Sequence, residues 1–347
     1  MPKRLHLILL TALLALSSAA ANAAAITAAT APLQLLGRTD LSGYSGDFDH
    51  MAADIRGNRL FMAAEDHGTL EVFNLTSGAH ERTLTTFGTP HGILFLPKAN
   101  RLIVSDSGKA GTVILDATTY KVIGHLKLAA GADSMTYDAP DHRLYIVTGG
   151  SDVGMKDCSL NEVDPLTGHV YAQHRFDSDQ TEAVAIEPHG RRLFVNIADH
   201  DYVAVLDKVT LKELARWPLS GATLNLSMTL DARDHRLFIV TRNPSKLFVL
   251  DTRTGKTVAV MDAPAIVDGV FYDSSRKRIY VPGGIGVVGV YQQLDPDHYR
   301  LLADVPSARG AKSGVLVPEI NRLFLAVSPG AQGHDGAMLR YALPPVR

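Results

Sequence analysis

The stretch "DHRLYIV", residues 141–147, returns 93 positions later as "DHRLFIV", residues 234–240. Both copies place polar residues before an arginine and an apolar run that favours a β-strand. Related phrases occur seven times along the chain, and their arginines are Arg59, Arg101, Arg143, Arg192, Arg236, Arg278 and Arg322. Successive spacings of 42, 42, 49, 44, 42 and 44 residues separate these repeat arginines. A regular period of this length indicates a repeat architecture.

Each repeat reads as four short strands. An alternating stretch such as "HGILFLP" (91–97) precedes the arginine phrase, and strands such as "TVILD" (112–116) and "KVIGHLKL" (121–128) follow it. The third strand ends in a polar turn residue 15 positions after the repeat arginine at Asn74, Asp116, Asp207 and Asp251. Four strands per repeat in seven repeats predict an all-β fold, a seven-bladed β-propeller.

The two ends of the chain complement each other in this pattern. The last repeat ends at "AMLRYALPPVR" (337–347), which supplies a third strand but no fourth. The segment "LQLLGRTDL" (33–41) resembles the fourth strands of other repeats. We therefore expect the N-terminal strand to close the last blade, so that residues 24–347 form a single seven-bladed domain.

The first residues have the pattern of a secretory signal peptide. Lys3 and Arg4 precede an apolar run, and the small-residue site Ala21-Asn22-Ala23 predicts cleavage after Ala23. This pattern predicts a signal peptide over residues 1–23 and export to the periplasm or the extracellular space. The apolar run is too short for a membrane anchor.

Composition narrows the class of partner. The formal net charge is -2, and the mature chain would lose Lys3 and Arg4 as well, so no basic surface indicates nucleic acid. Cys158 is the only cysteine, which rules out an internal disulfide. We expect a monomer that binds a small molecule, a metal ion or a partner protein.

The repeated histidines favour a structural role. His142 and His235 fall at the hairpin before the repeat arginine, where other repeats have Asn, Lys or Arg. Polar residues that tolerate turn conformations are typical of this position. Ligand binding is therefore expected at the opposite face of the propeller.

That opposite face gathers the starts of the seven innermost strands around the central channel. Counting ten residues back from each repeat arginine, or eleven in the fifth repeat, gives one polar residue per blade. These predicted ligand-binding residues are Asp49, His91, Asp133, Glu182, Asn225, Asp268 and Lys312. We call this ring of positions the channel mouth. Four acids and one lysine give it a net charge of -3 with the histidine neutral.

A negatively charged ring has three interpretations. Its side chains could simply line a water-filled opening. Converging carboxylates repel one another, and a bound cation would relieve that repulsion. The oxygen ligands of Glu182, Asn225 and Asp268 suit Ca²⁺, whereas His50 and His91 beside an acid suit a transition metal.

The loops on the same face offer further candidates. The third repeat carries six extra residues within "TGGSDVGMKDCSL" (148–160), and "SPGAQGHDGAM" (328–338) is also extended. Functional residues collect in such loops. The loop candidates are Asp66, His67, Asp106, Asp152, His200, Arg242, His334 and Asp335.

The repeat phrases resemble a known family. "RLYIV", "RIYV" and "VLDTRTGK", repeated behind a signal peptide, are similar to the YVTN-repeat, YncE-like bacterial β-propellers. This resemblance covers the mature chain and implies an exported, non-enzymatic binding or scaffold protein. It implies a fold more than an activity.

Two strand openings resemble a second family. "TEAVAIEPHGRRLFV" (181–195) and "VDGVFYDSSRKRIYV" (267–281) are similar to the gluconolactonase-like propellers, although Ala183 replaces the expected glycine. That resemblance implies a calcium-dependent lactonase with Glu182, Asn225 and Asp268 as metal ligands. Asp268 would then be the general base that activates water.

Overall fold

The computed structural model describes residues 31–108, 111–330 and 335–346. The predicted signal peptide, residues 1–23, and the loop candidate His334 lie outside the described residues. The strands form seven four-stranded antiparallel sheets, which confirms the predicted all-β, seven-bladed propeller. Within the described ranges, no helix is long and apolar enough to cross a membrane.

The sheets follow the chain in order. Strand β1 (Gln34–Leu41) precedes the first blade. The first three blades are formed by β2 (Met51–Asp54), β3 (Arg59–Ala64), β4 (Thr69–Asn74) and β5 (His80–Leu84); β6 (Pro90–Leu96), β7 (Arg101–Asp106), β8 (Thr112–Asp116) and β9 (Val122–Leu126); and β10 (Met135–Asp138), β11 (Arg143–Gly149), β12 (Cys158–Val163) and β13 (Val170–Phe176).

The next three blades have the same order. They are formed by β14 (Thr181–Ile186), β15 (Arg192–Ile197), β16 (Tyr202–Asp207) and β17 (Glu213–Pro218); β18 (Thr223–Asp231), β19 (Arg236–Asn243), β20 (Ser245–Asp251) and β21 (Thr257–Asp262); and β22 (Phe271–Asp273), β23 (Arg278–Gly283), β24 (Ile285–Gln293) and β25 (Tyr299–Arg309). Single-turn 3-10 helices lie at Ser151–Val153 and Pro318–Ile320.

The seventh blade closes the ring as the sequence predicts. It contains β26 (Ala311–Val317), β27 (Arg322–Val327), β28 (Gly336–Ala342) and then β1. Strand β1 pairs antiparallel with β28 along its length. A central cavity of about 310 Å³ is lined by residues from all seven blades, including Met51, Ile93, Met135, Val184, Met228, Phe271 and Gly314.

Apolar side chains between neighbouring blades form the core. The second strand of each blade is buried on both faces, as in β3, where five of six residues are buried. Phe61 on β3 packs with Leu102 and Val104 on the second strand of the next blade. A fully buried side chain of this size contributes roughly 1.5–3 kcal/mol, so burial between blades holds the ring together.

The turn before the repeat arginine explains the duplicated histidines. The preceding residue has a positive φ of 51 to 57° in six repeats, at Asn58, Asn100, His142, His235, Lys277 and Asn321. Asn and His are among the side chains that tolerate this left-handed conformation. The histidines therefore serve the hairpin, on the face opposite the channel mouth.

The repeat arginines link neighbouring blades on that same opposite face. Arg236 is buried and donates to the carbonyl of Pro296 at 2.8 Å and to Asp297 at 2.5 Å, both in the next blade. Arg192 likewise donates to the carbonyl of Thr252 in the following blade. The recurring phrase is thus a structural element of the repeat.

Candidate ligand-binding site at the channel mouth

Three of the predicted ring residues meet at the starts of the first three blades. His91 Nδ1 donates to Asp49 Oδ2 at 3.0 Å and lies 3.6 Å from Asp133 Oδ1. His50 Nε2 lies 3.6 Å from the other oxygen of Asp49. Burial would raise the pKa of Asp49, but His50, His91 and Lys312 outweigh it and lower that pKa to about 2. Asp49 is therefore a fixed negative charge.

The imidazole of His91 is held in its charged form. Its residue is only 5% exposed, and burial by itself would lower the pKa. The hydrogen bond to Asp49 and the charges of Asp133, Asp49 and Glu65 outweigh burial and raise the pKa of His91 to about 10. His91 Nε2 then donates to the hydroxyl oxygen of Ser107 at 2.9 Å.

Two further carboxyl groups are held in their neutral form. Burial and the charge of Asp49 raise the pKa of Glu65 to about 8. Burial, together with Asp133 and Asp268, raises the pKa of Glu182 to about 8. Burial also raises the pKa of Asp133. We call Asp49, Glu65, Asp133 and Glu182 the acidic half of the mouth.

The other side of the mouth carries positive charge. Lys312 Nζ lies 2.7 Å from Asp47 and 3.2 Å from Asp268 Oδ2. Arg242 Nη2 lies 3.3 Å from the other oxygen of Asp268. Burial opposes the charge of Lys312, but Asp268 and Asp47 outweigh it and raise its pKa to about 12. Asp268 thus faces two cations, which repel a metal ion from its carboxylate.

Asn225 lies apart from the other ring residues. It is fully buried, and its amide donates to Asn196 Oδ1 at 2.8 Å and to the Tyr202 carbonyl at 3.1 Å, both in the preceding blade. A β-bulge between Asn225 and Ser227 accompanies this orientation. The structure therefore separates the three predicted calcium ligands. Glu182 lies in the acidic half, Asn225 at a blade interface and Asp268 on the basic side.

A small cavity opens beside His91. It has a volume of about 70 Å³, and its lining includes His91, Ser107, Gln180, Glu182 and the buried free Cys158. Burial raises the pKa of the Cys158 thiol, so this cysteine is mainly protonated. The cavity gives Ser107 a space that faces both His91 and the acidic half.

Ser107 and Glu65 are absent from the predicted site but share a sequence position. Each lies six residues after its repeat arginine, Arg101 and Arg59, in the loop after the second strand. Arg242 has the same offset from its own repeat arginine, so three of the seven repeats place a mouth residue at this position. The spacing that located the first ring could have found them.

Three loop candidates hold backbone or hydroxyl groups in place. Asp66 accepts a hydrogen bond from the backbone N–H of Asp47 at 2.8 Å. Asp106 is fully buried and accepts from three backbone N–H groups of neighbouring loops. Asp335 accepts from the Ser42 hydroxyl at 2.9 Å. These contacts indicate structural roles.

The remaining loop candidates differ in their surroundings. His67 stacks on Tyr44 with ring centroids 4.2 Å apart. His200 is exposed and lies 3.0 Å from Asp199. Asp152 lines the small cavity beside His91. Of these three, only Asp152 extends the acidic half.

Some mouth atoms are close enough together to surround a metal ion. Ligand atoms of Asp49, Glu65 and His91 lie within 4.8 Å of one another, as do those of Asp49, His50 and Asp133. A histidine must be neutral to coordinate a metal. The raised pKa of His91 opposes coordination by the first group.

The fold and this mouth define a seven-bladed β-propeller with a polarised site at one end of its channel. The chain is similar to two curated bacterial proteins, each called "Uncharacterized protein YncE", from Salmonella typhi and from Salmonella typhimurium. It is 25% identical to each over 205 residues, which are 55% of this chain and 56% of each relative. The chain thus spans about half the length of the curated relatives it matches.

The sequence match and the seven blades together confirm the resemblance to YncE-like propellers. No family model matches the chain. The YVTN form of the repeat stays a prediction. The names of the two relatives assign no activity.

Proposed function

We propose that this protein is an exported binding propeller whose channel mouth recognises a positively charged organic ligand. The observation that carries the proposal is the convergence of four carboxyl groups, the acidic half, from the first, third and fourth blades. Asp268, the remaining acid of the predicted ring, lies on the basic side, where it pairs with Lys312. His91 supplies one positive charge to these groups, and a cationic ligand would supply a further counter-charge as Glu65 and Glu182 ionise.

The raised pKa values of two carboxyl groups in the acidic half support the proposal of a cationic ligand. Burial is the largest cause of the raised pKa values of Glu65 and Glu182, both about 8, and the charges of neighbouring carboxylates add to it. Like-charged groups at short range raise one another's pKa because each disfavours the charged form of the next. A bound cation favours ionisation, so its binding releases protons and strengthens as pH rises.

An organic cation fits the mouth better than a metal ion that would need His91 or Asp268 as a ligand. His91 is protonated near neutral pH, and its two ring nitrogens already face Asp49 and Ser107. An ammonium or guanidinium group needs only carboxylate acceptors. The lactonase-like alternative requires Asp268 to hold calcium, but Asp268 pairs with Arg242 and Lys312.

Thermal melting with a panel of cations tests this function. The probes are methylguanidinium, choline, Ca²⁺, Mn²⁺ and Zn²⁺, each at about pH 8, where the acidic half is more ionised. A ligand present at about 100 times its dissociation constant stabilises the native state by about 2.7 kcal/mol. We expect an organic cation to raise the melting temperature and a chelator to leave it unchanged.

The matched variants are Glu182→Gln and Asp262→Asn. Each removes one carboxylate, but Asp262 lies on an outer strand with its side chain 91% exposed. Glu182→Gln should weaken the stabilisation by the organic cation, and Asp262→Asn should preserve it. Stabilisation by calcium or another metal alone, or equal responses of the two variants, would contradict the proposal.

A further inference from the structure

Ser107, His91 and Asp49 form an unbroken line of hydrogen bonds at the channel mouth. His91 Nδ1 lies 3.0 Å from Asp49 Oδ2, and His91 Nε2 lies 2.9 Å from Ser107 Oγ. Each imidazole nitrogen thus faces a different partner, a carboxylate on one side and a hydroxyl on the other. When the imidazole is neutral, so that Nε2 accepts from Ser107, this is the arrangement by which a histidine activates a serine nucleophile; it is defined by geometry irrespective of sequence order or fold.

We propose that Ser107 is a nucleophile, with His91 as its base and Asp49 as the group that orients the imidazole. The reaction class is acyl transfer from a small ester to water. The substrate class, an ester that carries a positive charge, rests on the proposed function; the nucleophile does not.

The surroundings of Ser107 suit a small acyl group. The hydroxyl lines the cavity of about 70 Å³, which has room for a group of roughly acetyl size. Gln180 lines the same cavity, and its amide Nε2 lies 3.3 Å from Glu182 Oε1. This N–H donor can turn from Glu182 to an oxygen that becomes negative during the reaction.

The reaction balances with water as the only co-reactant. Ser107 Oγ attacks the ester carbonyl carbon while its proton passes to His91 Nε2. The carbonyl–alkoxy bond then breaks, and the imidazolium returns the proton to the departing alcohol. Water attacks the acyl-serine and gives a proton to His91, and the acyl–oxygen bond to Ser107 breaks. The proton returns to Ser107, and the products are a carboxylic acid and an alcohol.

The charges around His91 determine whether its imidazole is neutral and can act as the base. Asp49, Asp133 and Glu65 face the imidazole, along with the hydroxyl of Ser107. Only a neutral imidazole accepts the serine proton. A cationic substrate offsets the neighbouring carboxylates and favours that neutral form. Cationic esters should therefore react faster than neutral esters of the same shape.

Covalent labelling of the full chain with phenylmethanesulfonyl fluoride at about pH 9 to 10, where a substantial fraction of His91 is neutral, tests the nucleophile independently of any charge preference. The probe is neutral, and peptide mass mapping should locate a sulfonyl adduct on Ser107. Ser107→Ala should abolish the adduct, and His91→Gln and Asp49→Asn should slow labelling by at least about 100-fold. Ser77→Ala, which removes an exposed serine at the opposite face, should label like the parent protein.

A second variant keeps the test informative if the His91 substitution disturbs the fold. In Ser107→Cys, His91 should activate the new thiol toward iodoacetamide well above the rate of the buried Cys158. Equal reactivity of the two thiols, or no sulfonyl adduct on Ser107 in the parent protein, would overturn the proposal.

A matched pair of esters separates this proposal from the proposed function. Acetylcholine and 3,3-dimethylbutyl acetate have the same shape and differ in one positive charge. Faster hydrolysis of acetylcholine supports both ideas. Labelling of Ser107 without that preference retains the nucleophile and contradicts cation recognition by this site. Cation binding without labelling contradicts the nucleophile alone.

Discussion

His91 Nδ1 lies 3.0 Å from Asp49 Oδ2, although the two residues stand at equivalent positions of neighbouring blades. The contact arises because the innermost strands converge on one axis, so one position in each repeat meets its neighbours. The mouth is therefore a product of the repeat, and its chemistry varies with the residue that each blade contributes.

Protein stability should fall as pH rises above neutral. The pKa of His91 rises from 6.5 to about 10, and those of Glu65 and Glu182 rise from 4.5 to about 8. In each case the native state binds more protons between the two values, so stability is greatest below them and declines as pH rises through them. Melting curves should show a fall of several degrees between about pH 6 and pH 9.

The variant Glu182→Gln isolates one part of that effect. A glutamine does not titrate. The melting temperature of the variant should therefore fall less steeply with pH than that of the parent protein. Asp262→Asn, on the outer strand, should keep the parent slope. A parent protein whose stability rises over this range would contradict the assigned charges of the mouth.

Two arginines that contact the same acid should differ greatly in their contribution to stability. Arg236 is buried and lies 3.3 Å from Asp251, whereas Arg253 lies 2.5 Å from Asp251 with its side chain 58% exposed. Arg236→Met should cost about 1–3 kcal/mol because the Pro296 carbonyl loses its donor and the packed guanidinium is removed from between two blades. Arg253→Met should cost less than about 1 kcal/mol. Denaturant unfolding would measure both, and equal losses would contradict the structural role of the repeat arginine.

The position of His235 in a turn predicts an unusual ranking of its substitutions by their effect on the free energy of unfolding. Its φ of 57° is a left-handed conformation that Gly, Asn and His adopt more readily than Ala does. His235→Ala should therefore destabilise the protein by about 1 kcal/mol, while His235→Asn or His235→Gly should be close to neutral. Unfolding free energies would check the order. Loss of cation binding in His235→Asn would instead assign this histidine to a site.

Ring closure can be tested within strand β1. Leu41 is 3% exposed in the core between the first and last blades, and Leu36 of the same strand is 40% exposed. Leu41→Ala should cost about 2–5 kcal/mol, and Leu36→Ala less than about 0.5 kcal/mol. Chemical denaturation would compare them, and similar small losses would show that the N-terminal strand adds little to closure.

The repeat period was sufficient to predict the blades, the strand order and the closure by β1. It also identified Asp49, His91 and Asp133, because equivalent positions must meet around an axis. The period does not predict the orientation of a side chain. Asn225 turns into a blade interface beside a local bulge, and Asp268 faces Arg242 and Lys312. The partnership of Ser107 with His91 depends on loop geometry between two strands, which a period does not specify.

Calorimetric titration with methylguanidinium at about pH 7, in two buffers of different ionisation enthalpy, tests the central claim most directly. We predict a binding heat that depends on the buffer, because a cation in the acidic half drives protons from Glu65 and Glu182. That dependence should shrink in Glu182→Gln and persist in Asp262→Asn. Absence of binding, or the same heat in both buffers, would contradict recognition of a cation by these carboxyl groups.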